Sequence, residues 1–135
     1  MKKILMLMIV AFAAFELNAI TIGDAYNQIA AIPGATLSDV PEDDCTKEGM
    51  DWGKIVMFIG VDNSTVAQVE KTLSKITDPE VLNSKSEYGN SMIGYASRLN
   101  NGRVVALVYV DNPGAGCIVL YAQGDDNIVN DMKNY

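Results

Sequence analysis

The sequence predicts an α+β domain: an antiparallel β-sheet of about four to five strands with two to three helices packed on one face. Three observations lead there. Ser91 to Gln123 holds three β-rich runs separated by two turn signals, Asn100-Asn101-Gly102 and Asp111-Asn112-Pro113-Gly114. Asp62 to Ile76 carries apolar residues at helical spacing behind a good capping sequence. The helical segments are too few to cover both faces of a long sheet, so a layer architecture with one covered face is favoured.

The chain opens with Lys2 and Lys3, an apolar run from Ile4 to Phe15, and Leu17-Asn18-Ala19. This is the layout of a secretory signal peptide. The run is shorter than the roughly 20 residues a membrane-spanning helix needs. The expectation is a leader over residues 1–19, a mature chain beginning at Ile20, and a periplasmic or secreted location with no membrane span after cleavage. Residues 20–135 suit a single domain with enough chain to bury a core.

The segments follow in order. Asp24 to Ile32 predicts a short helix that ends at Pro33-Gly34, with Ile22, Ile29 and Ile32 near one side. Ala35 to Val40 predicts a short strand. Pro41 to Gly53, with Glu42, Asp43, Asp44 and Cys45, reads as a solvated loop. Lys54 to Val61 (KIVMFIGV) is nearly all apolar and predicts a strand covered on both faces. From Ser64 to Ile76, Val66, Val69, Leu73 and Ile76 place one stripe of a helix against the core. Val81 to Lys85, Ser91 to Leu99, Arg103 to Val110 and Gly116 to Gln123 then predict a strand meander. Asp125-Asp126 can cap a last helix from Asn127 to Lys133.

Composition excludes several functions. The net charge is −7 and becomes more negative once Lys2, Lys3 and Glu16 are removed, which disfavours nucleic-acid backbones and anionic lipid surfaces. The chain has no histidine. This removes Ser-His-Asp and Cys-His catalysis and histidine-ligated zinc. Cys45 and Cys117 could form a disulfide in an oxidising compartment, or remain two separate thiols; sequence cannot place their Cα atoms. There is no C-x-x-C redox motif.

The acidic groups have simpler roles than chemistry. Glu42, Asp43 and Asp44 lack the alternate spacing and distal glutamate of a calcium loop. Asp125 and Asp126, with Asp131 beyond them, read as helix-capping chemistry. The glycines of Asn112-Pro113-Gly114-Ala115-Gly116 lack the lysine and following helix of a phosphate loop. No metal site and no cofactor follow from the sequence. Tyr88, Tyr95, Tyr109 and Tyr121 lie in or near the strands. Tyr95, Tyr109 and Tyr121 could line one sheet face as an aromatic contact patch, or pack beneath the helices. Trp52 reads as a lid over the core edge or as an exposed anchor.

The tail MIGYASRLNNGRVVALVYVDNPGAGCIVLYAQGDD, from Met92 to Asp126, resembles a family of short exported Bacteroidetes-type proteins of unknown function. The shared plan is a signal peptide, then helix, strand and helix, then a meander with a central x-D/N-G-x turn, here Asn100 to Arg103, and a closing Gly-Asp pair, here Gly124-Asp125. The loop around Cys45 has no counterpart in that plan. The resemblance implies fold and compartment, and no catalytic residue transfers with it. The expected function is therefore a non-enzymatic envelope protein that binds an envelope protein partner through a sheet face bearing Tyr95, Tyr109 and Tyr121. The alternative is a carboxylate-dependent hydrolase or small-ligand-binding protein. That alternative requires converging carboxylates, or a tyrosine–carboxylate pair, in a concave pocket.

Overall fold

The computed structural model describes residues 20–77, 80–87 and 90–133. The leader predicted for 1–19 and Tyr88 lie outside those residues. The order of elements is α1 (Ile22–Ala30), β1 (Thr36–Asp39), α2 (Glu42–Glu48), β2 (Met50–Ile59), α3 (Asn63–Leu73), β3 (Glu80–Glu87), β4 (Asn90–Arg98), β5 (Val104–Asn112), β6 (Gly116–Gly124) and α4 (Asp126–Lys133). The fold is α+β. One antiparallel sheet of six strands runs β1-β2-β6-β5-β4-β3. Every segment expected to be a strand enters it, including the weakly patterned β1.

The principal face of the sheet lies under α1 and α3. Thr21 and Asp24 form a reciprocal capping box at the start of α1, with N–H to side-chain oxygen distances of 3.1 and 3.3 Å. Asp62 caps α3 by accepting from the Thr65 N–H at 3.0 Å and from the Ser64 hydroxyl at 2.7 Å. These hydrogen bonds, Ser64 first, hold the Asp62 carboxyl below its usual range. The helices bury Ile22, Ala25, Tyr26 and Ile29 from α1, and Val69 and Leu73 from α3. They pack on Val56, Phe58, Leu107, Cys117 and Val119 of the sheet. A parallel bridge between Ile20 and Ile76 ties the start of α1 to the end of α3.

The segment from Pro41 to Gly53, expected as a solvated loop, holds α2 and the first residues of β2. Three acidic residues in the first turn of α2 complement the positive end of the helix dipole. Pro41 occupies the cap position, and Gly49 closes the helix in the left-handed region at φ 74°. Cys45 anchors the helix by burial. Acidic residues clustered behind a proline resemble a loop by composition, whereas their position in a first turn makes them helix-starting residues. β2 therefore begins at Met50 and takes in Trp52. A register shift between Met50 and Trp52 marks a bulge there.

The helices, expected on one face, are shared between both: α4 seats on the reverse face, which is divided, because small residues there admit it. One end presents the cross-strand row Gly53–Ala122–Ala106–Ala96. Small side chains let α4 approach closely, and Ile128 and Val129 bury against Ala106, Ala96 and Val104. Arg98 pairs with Asp126 across the strand-to-helix junction. Gly124 lies at the tightest point: a Cβ there would collide with the Gly49 carbonyl oxygen and Ile128 Cδ1 and come within 3.0 Å of Met50 Cα. Two of these neighbours are backbone and cannot yield cheaply. Gly124→Ala is expected to destabilise the fold by about 1–3 kcal/mol, measured as a lower midpoint of urea unfolding at unchanged slope. A wild-type midpoint would show that α4 does not seat as described.

Candidate functional site

The three strand tyrosines share one face, and it is the covered one. Tyr109 is 4% exposed, and its hydroxyl donates to Glu70 Oε1 on α3 at 3.0 Å. Burial and that hydrogen bond both raise its pKa. Tyr95 and Tyr121 are half-buried against the same core, and burial is the main cause raising theirs. Tyr121 stacks on Tyr26 of α1 at 5.0 Å between centroids and meets the Trp52 edge at 4.9 Å. The Lys54 ammonium sits 5.6 Å from the centroid of the Trp52 ring. Trp52 thus closes the margin of the core from within β2. As placed, these rings are packing groups beneath the helices, and Tyr109 presents no surface to a partner.

Cys45 and Cys117 are two buried free thiols. The Cys45 thiol donates to the Val40 carbonyl at 3.6 Å, and the Val40 N–H bonds to Gly53. Cys117 pairs opposite Phe58. Gly53 and Phe58 are separated by about 17 Å along the strand, far beyond the reach of a disulfide. The Cys117 thiol is 2% exposed and pushed up to about 11, by burial first and then by Asp111 and Glu70.

The acidic groups are spread over the fold. Asp125 caps α4 by accepting from the Asn127 N–H at 2.9 Å. Asp51 takes Arg103 and the Gln123 amide, clamping the β2 bulge to the β4–β5 turn and to β6. Arg103, then Gln123, holds the Asp51 carboxyl below its usual range. Asp111 is raised by burial and then by Glu70. Among the described residues, no group of three or more cysteine or carboxylate side chains could hold a metal ion. No helix among them is long and apolar enough to cross a membrane.

The feature that packing only partly accounts for is the other end of the reverse face, where Val108 leans on the Ala106–Ile128 cluster and its neighbours have no such cover among the described residues. Two rows of large apolar side chains cross the sheet there. One is Met57–Ile118–Val110–Met92 and the other Ile55–Leu120–Val108. None of these residues is fully buried; Ile118 is 42% exposed, and Ile59 at the end of β2 is 73% exposed. The rows span four strands, about 14 Å at the usual strand spacing, and carry no charged side chain. β2 was expected to be covered on both faces; its second face is covered at Gly53, part-buried at Ile55 and Met57, and exposed at Ile59. The signal was present in the sequence: KIVMFIGV, RVVALVYV and GCIVLYAQ are apolar at both alternate positions. A strand with one solvated face would alternate. An exposed contiguous apolar patch of this kind is a mark of an interaction surface.

Two outcomes follow from this placement. The native protein should react slowly with a thiol reagent at pH 8, and the urea-unfolded protein should titrate two thiols without added reductant. Finding none would show a disulfide and a different arrangement. The folded-state pKa of Cys117 lies above its unfolded value near 9, so the stability it contributes is complete below pH 9 and is lost as pH rises through about 11. The melting temperature should fall over that interval, and less so in Cys117→Ala once its lower baseline is subtracted. Comparison of the chain with family models, with curated proteins and with solved structures gives no match.

Proposed function

We propose that this chain is a small, non-enzymatic binding module that works outside the cytoplasm and docks an envelope protein through the open reverse face of its sheet. One observation carries the reading: the uncharged double row around Ile118 and Leu120 is only part-buried, with Ile118 exposed, although two helices of the same chain lie nearby. Leaving large apolar side chains exposed forfeits roughly 25 cal/mol for each Å² not buried, which a partner would recover. The leader-like residues Lys2 to Ala19 support the location. The tyrosines enter this reading indirectly, since they pack α1 and α3 onto the principal face and leave the reverse face as the available one.

The test is site-specific photocrosslinking in cells that make the protein natively. A crosslinking residue at Ile118 should capture a defined envelope protein, whereas one at the exposed Gln68 on the outer side of α3 should not. Equal capture at both positions, or capture at Gln68 alone, would remove the open face from the function. Recovery of the protein from the cytoplasmic fraction with residues 1–19 still attached would remove the compartment.

A further inference from the structure

We propose that the partner presents a basic amphipathic helix, with its apolar stripe laid on the rows around Ile118 and its lysines or arginines turned toward the acidic helix α2. The inference rests on the binding-module reading and adds the chemistry of the occupant. Met57, Ile118, Val110, Ile55, Leu120 and Val108 form an uncharged surface. It suits an apolar stripe and offers nothing to a charged or hydrogen-bonding one. A helix fits better than another strand. The same face already accepts α4 at its small-residue end, and a helix beside α4 would complete the layer.

Charge selects the sign of the partner. The Val40 side chain stands over Gly53, a reverse-face position, and the Cys45 thiol reaches the Val40 carbonyl. This sets α2 at the border of that face, with Glu42, Asp43 and Asp44 exposed in its first turn. Lys47 and Glu48 at its other end offset each other. The chain as a whole carries −7. A second copy docking face to face would bring two acidic helices and two negative molecules together, which opposes self-association. An apolar helix with basic flanks satisfies both the rows and the border.

The probe is a synthetic amphipathic peptide of leucine and lysine, about 18 residues long, titrated against the chain as isolated from cells. A leucine–glutamate peptide of the same pattern is the comparison. The lysine peptide should bind at least about tenfold more tightly. Ile118→Ser should weaken it by about tenfold, with Met57→Gln as the second variant should the first melt early. Neutralising Glu42, Asp43 and Asp44 to their amides should weaken it several-fold and flatten its salt dependence. Equal binding of both peptides, still sensitive to Ile118→Ser, would overturn the basic partner while the binding face stands. Lysine-peptide binding unaffected by Ile118→Ser would overturn the docking site. Binding of neither peptide overturns the proposal in either case: a dimer broken by Ile118→Ser would make a second copy the occupant, and a monomer would count against the binding-module reading as well.

Discussion

The structure depends on β6 being paired on both sides. On one side it runs antiparallel to β5, its neighbour through a short turn; on the other it runs antiparallel to β2, from Met50↔Gly124 to Ile59↔Gly116. The second pairing is the long-range step that joins the amino-terminal half to the carboxy-terminal meander. Without it, α1 and α3 would have no common surface on which to bury. The pairing is close at both ends. Gly116 has φ 131°, and a Cβ there would strike the Phe58 carbonyl; Gly124 lies against Gly49 and Ile128 at the other end. Both positions require a residue without a side chain because backbone from β2 or its approach passes directly over them.

The two faces of the sheet meet different demands. The principal face receives α1 and α3 and carries Val56, Phe58, Leu107 and Val119 under them, a continuous apolar core. The reverse face has only the shorter α2 and α4 near one end. There the sheet supplies glycine and alanine, so the helix axis can come close. Beyond α4 the residues become large and apolar while their cover stops. Apart from Val104, buried against Val129, the larger residues of this face are the less covered ones. Ordinary core packing explains the first half of that pattern, and the docked helix proposed above would explain the second.

Polar groups within the fold are tied to the architecture. Asp62, Thr21 and Asp125 cap three of the four described helices. Asp51 draws Arg103 and Gln123 onto the β2 bulge, and Arg98 pairs with Asp126 of α4. Tyr109 spends its hydroxyl on Glu70, linking β5 to α3. These partnerships account for the tyrosine–carboxylate pair and, among the acidic side chains that the sequence offers as candidate chemistry, for Asp125 and Asp126. Glu42, Asp43 and Asp44 of α2 instead stand exposed at the border of the reverse face.

The sequence by itself determined the α+β class, the strand meander with its turns at Asn101-Gly102 and Pro113-Gly114, and the capped helix after Asp62. Those features rest on local physics: left-handed glycines at turns, side-chain caps, and the periods of apolar residues. Their ends moved by only a few residues between expectation and structure. Tertiary structure alone decided which side of each strand faces the helices. Strands that are apolar at every position have no period to read, so Tyr95, Tyr109 and Tyr121 could be assigned a common face but not an open or a covered one. It also decided that Pro41 to Gly53 starts with a helix, because burial of Cys45 stabilises a short segment whose own propensity is weak. The separation of Cys45 from Cys117 was likewise invisible in the chain, since strand order fixes it through the pairing of β1 and β6 on opposite sides of β2.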